Sequence, residues 1–248
     1  MIDLHTHVLP QLDDGAEDIE ASVEIAREAA RNGVSVLVAT PHVRDDYPTS
    51  VESMLSAVGA VRDALESNGI AVEVLPGAEI AVDRLPQLSN DELRAFALGG
   101  GDALLIEPPF YGWPLGIADE IHRLRAAGFR VVLAHPERNT FVQESPGRLR
   151  PLVEEGVLVQ LTAASMTGGF GRVAARTSKE LLDAGLAHLV STDVHRADGR
   201  GSALLPALDA LRDDALVDWL ARDVPAAVLA GEELPAAPAT KRRWLRRK

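Results

Sequence analysis

A chain of 248 residues and 26.5 kDa, 46% hydrophobic with a mean hydropathy of +0.02, carries enough apolar material to bury the core of one soluble globular domain. The absence of cysteine excludes disulfides, thiolate metal sites and every cysteine-nucleophile mechanism, and a formal charge of −12 argues against non-specific nucleic-acid binding, which needs a basic surface. No segment approaches 18 uninterrupted apolar residues, and the opening Met-Ile-Asp lacks the basic and apolar regions of an export signal, so a cytoplasmic location is expected.

In chain order, IDLH reads as a first strand that delivers His5 and His7, followed by the amphipathic helix IEASVEIAREAARNG. VSVLVAT (34–40) is a second strand running into Thr40-Pro41-His42, and VESMLSAVGAVRDALESNG is the next helix. AVEVLP (71–76) leads to Gly77-Ala78-Glu79, and DALLIE (102–107) ends in Glu107-Pro108-Pro109. After the helix GIADEIHRLRAAG come FRVVLAH (129–135), with His135-Pro136-Glu137-Arg138 behind it, and GVLVQLT (156–162). The helix ARTSKELLDAG and the strand AHLVSTD (187–193) close the series at Asp193-Val194-His195. The closing glycine of each helix suits a C-cap. Seven β-branched strands alternating with helices predict one α/β domain over residues 1–232, with a parallel sheet closed into a distorted barrel. Residues 233–248 are a Pro/Ala linker and a basic tail, KRRWLRRK, which suits an anionic membrane surface or an acidic partner.

In a parallel barrel the C-terminal ends of all strands share one face, so the residues just named converge although they are far apart in sequence. Five of the seven histidines stand there; His122 falls within a helix and His188 at the entrance of its strand, on the opposite face. A His-x-His pair on a strand points both imidazoles to one side, because side chains alternate with period two. The nine candidate ligands are His5, His7, Asp14, His42, Glu79, Glu107, His135, Asp193 and His195. They exceed the coordination positions of a single ion, so two or three divalent ions are expected, and imidazoles mixed with carboxylates suit Mn, Fe, Zn or Co. Four carboxylates gathered in a poorly hydrated pocket would repel one another without such ions. The positive field that the ions leave suits a phosphate monoester dianion.

The string DLHTHVLPQLDDG, ATPH, PGAEI, IEPP, HPER, LTAASMTGGFG and STDVH resembles the polymerase-and-histidinol-phosphatase (PHP) superfamily, and within it the manganese-dependent tyrosine-protein phosphatases of bacterial capsule and exopolysaccharide loci. The match runs in order from about residue 1 to residue 200. It implies a distorted seven-stranded (β/α)7 barrel with three metal ions, manganese foremost. By motif, His5, His7, Glu79 and Asp193 would hold one ion. Glu79 would bridge to a second, held also by Glu107 and His135, and Asp14, His42 and His195 would hold the third; Asp13 is the less suitable of the two adjacent aspartates. The resemblance also implies a phosphotyrosine protein as substrate, a bacterial tyrosine autokinase that regulates capsule or exopolysaccharide synthesis.

On this reading a metal-bound hydroxide attacks phosphorus, no covalent phosphoenzyme is needed, and Arg138 holds phosphoryl oxygens as charge develops, its alternative role being a salt bridge to Glu137 or a neighbour. Phe110, Tyr111 and Trp113, in PPFYGWP, are candidates to contact a tyrosyl ring or simply to pack the loop, and the amides of residues 168–171 to assist phosphate binding. Two other functions fit the same residues. One is a small-molecule phosphoesterase such as a histidinol-phosphate phosphatase, and the other a metal-stabilised scaffold that binds phosphotyrosine without turnover.

Overall fold

The computed structural model describes residues 1–197 and 204–239, so the basic tail expected to meet a membrane or an acidic partner lies outside the described residues. Nine parallel strand segments form the framework: β1 (Ile2–Thr6), β2 (Val36–Ala39), β3 (His42–Val43), β4 (Glu73–Pro76), β5 (Glu79–Ala81), β6 (Ala103–Glu107), β7 (Arg130–Leu133), β8 (Leu158–Thr162) and β9 (Leu189–Ser191). They make a three-stranded sheet, β1-β2-β4, and a six-stranded sheet, β3-β5-β6-β7-β8-β9. The two are parts of one curled surface whose first and last strands meet. Asp193 N donates to His5 O and His7 N to Val194 O, each at 2.9 Å, and Thr6 forms a parallel bridge with Val194.

The expected second and third strands form as β2 and β4, and each is followed after a two-residue break by a short strand not among the expected ones, β3 and β5. Pro41 has no N–H to give a ladder, and Gly77 passes so close to its neighbours that an added Cβ would lie 2.9 Å from Val38 Cγ1 and 3.1 Å from Leu98 Cδ2. Across these interruptions the pairing keeps its offset, with Val36 beside Glu73 in β2–β4 and His42 beside Glu79 in β3–β5, while β5 also pairs with β6 and sets Ala81 beside Glu107. The continued offset sets two candidate ligands, His42 and Glu79, side by side.

The four expected helices form at Ile19–Arg31, Val51–Ser67, Ile117–Ala126 and Gly171–Asp183, the last starting a turn earlier than its sequence pattern indicated. Asp18 and Ser50 cap the first two through bonds to Ala21 N and Ser53 N, and the chain turns away with positive φ at Gly33 (77°) and Gly128 (89°). Short helices at Leu204–Asp209, Asp214–Asp218 and Val224–Ala230 were not among the expected elements, yet Leu204, Leu208 and Val228 are fully buried in the same hydrophobic core as Leu4, Leu37, Leu105 and Val132. Beyond residue 232 the chain is still tethered: Trp219 Nε1 donates to Pro235 O at 2.9 Å, and Arg130 Nη2 to Glu232 O at the same distance. Among the described residues no helix is long and apolar enough to cross a membrane.

Because Gly77 is wedged between Val38 and Leu98 just ahead of a candidate ligand strand, Gly77→Ala should overpack the junction and cost about 1–3 kcal/mol. Urea denaturation is the measurement, with the midpoint lowered at unchanged slope.

Candidate metal centre

All nine expected ligands come together at the C-terminal face of the curled sheet. His5 and His7, two residues apart on and just after β1, present their Nε2 atoms 3.2 Å apart. Glu79 Oε2 lies 3.3 Å from His5 Nε2 and 3.4 Å from His7 Nε2, and Asp193 Oδ1 lies 3.3 Å from both. These four residues form one group. His42 Nδ1 faces Glu79 Oε2 at 3.0 Å and Glu107 Oε2 at 3.8 Å, a second group, while His135 Nε2 meets the other oxygen of Glu79 at 2.8 Å. In the third, Asp14 Oδ1 stands 3.6 Å from His42 Nε2 and 3.4 Å from His195 Nε2, and the His195 ring stacks on that of His7 at 3.9 Å. Within each group the ligand atoms fall inside 4.8 Å of one another, and Glu79, His7 and His42 each belong to two.

The donor chemistry fits metal ions. His5 Nδ1 meets Gln160 Oε1 at 3.1 Å, His7 Nδ1 meets Asp13 Oδ2 at 2.7 Å, and His195 Nδ1 meets the Asp193 carbonyl at 2.9 Å. Each ring thereby spends its one N–H on an oxygen and turns the Nε2 lone pair toward the cluster, the arrangement of imidazoles that ligate metals. Glu79 Oε2 is buried without a hydrogen-bond partner although three histidines, His5, His7 and His42, surround it.

The electrostatics point the same way. Burial alone would discharge His5, yet the carboxylates of Glu79 and Asp193 hold its pKa up to about 9, and His7 is raised despite its burial by bonds to Asp13, Asp193 and Glu79. Glu79 is held well below its ordinary range against burial by His5, His135 and His42. Glu107, buried and repelled by Glu79, is pushed up. With only protons to balance it, the pocket must charge its imidazoles and strain Glu107. Divalent ions remove both demands.

Arg138 reaches the edge of this cluster, and Glu137 is not its partner. Its Nη1 donates to Asp193 Oδ2 at 2.8 Å, so Asp193 faces the histidines with one oxygen and Arg138 with the other. Glu137 is fully buried and accepts from Thr162 N at 3.0 Å. The Arg138 guanidinium lies 4.6 Å from the Phe110 ring and 4.1 Å from the Phe170 ring, both within cation–π range. Of the three aromatic residues in PPFYGWP, Phe110 alone contacts the site; Trp113 stacks on Phe141 at 5.4 Å, and Tyr111 is 82% exposed. From the 168–171 segment it is the Phe170 ring that reaches Arg138.

Several functional neighbours went unread in the sequence. Asp13, set aside as a ligand, orients His7 and accepts from Gly15 N at 2.9 Å and His42 N at 3.0 Å. Gln160, on the one strand without a ligand at its end, serves His5 and accepts from His135 N at 3.3 Å; a polar residue inside the apolar run VLVQL was its signal. Asp3, buried with its pKa raised to about 6, binds Thr192 N and Oγ1 and so ties β1 to the strand end that bears Asp193. Arg44, 3.7 Å from Glu107 Oε2 and held by both oxygens of Asp46, had no distinguishing pattern. The two histidines set aside stay outside: His122 lies at an exposed helix surface, and half-buried His188 accepts from Val159 N, desolvation pulling its pKa down to about 4.

Residues 1–223 match the family described as capsular polysaccharide synthesis, CpsB/CapC. The tyrosine-protein phosphatase YwqE of Bacillus subtilis is 35% identical over 201 residues, 81% of this chain and 79% of that protein. The tyrosine-protein phosphatase CpsB of Streptococcus pneumoniae is 27% identical over 217 residues, covering 84% and 88%. A solved structure from work on YwqE and CpsB, described as unique metal-dependent tyrosine phosphatases, superposes with a TM-score of 0.87 at 32% identity, covering 97% of this chain and all of that one.

Glu79→Gln should sharply lower bound metal, since an amide cannot supply the two anionic oxygens that face two ligand groups. Asp13→Ala should weaken metal affinity by about 10- to 100-fold through loss of His7 orientation. Metal analysis of the purified variants after dialysis checks both.

Proposed function

Since the chain belongs to the CpsB/CapC family of capsular polysaccharide synthesis, we propose that it is a metal-dependent protein-tyrosine phosphatase whose substrate is a phosphotyrosine protein, a tyrosine autokinase governing capsule or exopolysaccharide synthesis. The observation that carries this reading is a cluster of five imidazoles and four carboxylates, buried except at Asp14 and His195, with one guanidinium at its rim. We read the nine strand segments as seven staves of a distorted PHP barrel, β2 with β3 and β4 with β5 each making one stave, over residues 1–232. The nine ligands suit three divalent ions, manganese first among those that accept imidazole and carboxylate together.

When bound, such ions neutralise phosphoryl oxygens and make a water acidic enough to attack phosphorus near neutral pH. The protein's own groups do the positioning. His5, His7 and His195 keep their Nε2 lone pairs toward the centre through their Nδ1 partners. Arg138 uses Nη1 on Asp193, and no hydrogen bond of its Nε or Nη2 occurs among the described residues, so a planar edge of the guanidinium is free to donate to phosphoryl oxygens as they gain charge. Contact with Phe110 and Phe170 limits where that edge can swing. A phenolate, with a pKa of about 10, leaves more readily than an alkoxide. Aryl phosphates are therefore the better substrates without a strong general acid.

Turnover should be abolished by EDTA, restored by Mn or a similar ion, and indifferent to iodoacetamide in a chain without cysteine. In the reconstituted protein a phosphotyrosyl peptide should be hydrolysed faster than histidinol phosphate; the reverse order would assign the site to small molecules, and no turnover of either to a binding scaffold. Arg138→Ala should keep the metal and the fold while lowering kcat/KM by about 100-fold or more, with Arg138→Lys recovering only part. Metal analysis beside kinetics on p-nitrophenyl phosphate separates this outcome from loss of the cluster.

A further inference from the structure

A groove of about 680 Å³ leaves the metal cluster at Glu107. The turn after β5 contributes Val82, Asp83 and Pro86, and the loop after β6 contributes Pro109, Phe110 and Pro114. Its inner end is continuous with the site already described, because Glu107 faces His42 and Phe110 lies against both Arg138 and the His135 ring. Within about 300–1,000 Å³, the usual span of ligand pockets, it has room beyond what a phosphoryl group at the metals would use.

The walls dictate how an occupant can be recognised. Prolines lack the N–H that would pair with an added strand, so recognition has to run through side chains: apolar contact with Val82, the prolines and Phe110, and charge at the rim. The rim is acidic. Of its carboxylates, Asp46 is taken by Arg44, Asp45 by Arg84 and Glu120 by Arg123, whereas the exposed Asp83 carboxylate has no hydrogen bond or ion pair among the described residues. We infer that this groove seats the polypeptide flanking the phosphotyrosine, and that it selects an apolar segment whose lysine or arginine meets Asp83. The inference rests on the phosphatase reading and deepens it. Nothing in the metal cluster distinguishes one phosphotyrosyl peptide from another; the groove does.

The test compares the Mn-loaded protein with Asp83→Lys and Val82→Glu on three substrates: a phosphotyrosyl peptide with apolar neighbours and flanking lysines, the same peptide with flanking glutamates, and p-nitrophenyl phosphate. The unaltered protein should favour the lysine peptide by about fivefold in kcat/KM, the scale of one partly exposed ion pair. Asp83→Lys should reverse the order, and Val82→Glu should lower both peptides about tenfold by placing a charge in the apolar wall. Turnover of p-nitrophenyl phosphate should be unchanged in both variants. An unaltered peptide preference in Asp83→Lys, or a parallel fall with p-nitrophenyl phosphate, would overturn the assignment. If the unaltered protein hydrolyses none of the three, the phosphatase reading falls instead. The groove is then decided by fluorescence anisotropy of labelled peptides carrying a non-hydrolysable phosphonate, equal affinity of the lysine and glutamate forms overturning it.

Discussion

Everything at the C-terminal face of this sheet depends on placing carboxylates where water cannot solvate them. Glu79 is fully buried, with one oxygen 3.0–3.4 Å from three imidazoles and the other 2.8 Å from a fourth. Isolated ionised carboxylates cannot survive such burial, so every nearby element is arranged to supply compensating charge or a directed lone pair. The imidazoles are not free to turn: Gln160, Asp13 and the Asp193 carbonyl engage Nδ1 of His5, His7 and His195 and leave Nε2 toward the cluster. A set of ring nitrogens and carboxylate oxygens is thereby aimed at common points before any cation arrives, and the ordering cost is met during folding.

The backbone bends to satisfy the same demand. His135 (φ 31°) and Asp193 (φ 57°) hold left-handed conformations, each costing on the order of 1–3 kcal/mol for a residue with a Cβ. Both stand where a strand ends and its last side chain must turn into the cluster. Gly15 shows the constraint from the other side. An added Cβ there would sit 2.3 Å from the His7 carbonyl, so the Asp13-Asp14 turn can close over His7 only around a glycine. Behind these residues the sheet is an ordinary apolar core.

Asp193 joins the two halves of the chemistry, with one oxygen toward His5 and His7 and the other on Arg138. The guanidinium is thus referenced to the candidate ligands and laterally confined by Phe110 and Phe170. Phe110 also lines the groove that begins at Glu107. One loop therefore bounds both the Arg138 guanidinium and the groove beside it.

Residue order alone determined which side chains would gather, because a parallel strand-helix repeat sends every strand end to one face, and a period of two aims His5 and His7 together. It also determined the long helices, whose apolar stripes, caps and closing glycines are signals within a few residues of chain. Only the tertiary structure decided how the gathered groups share their work. Asp13 rather than Asp14 orients His7, Gln160 fixes His5 across 155 residues of chain, Arg138 answers to Asp193 rather than to adjacent Glu137, and the pairing of β3 with β5 sets His42 beside Glu79. Periodicity and capping are properties of neighbouring residues, whereas the direction of a carboxylate or the edge of a guanidinium is set by packing between segments that meet only when the sheet curls. Short helices near the C-terminus escaped the sequence for the same reason: their stability comes from the core they cover, not from any repeat of their own.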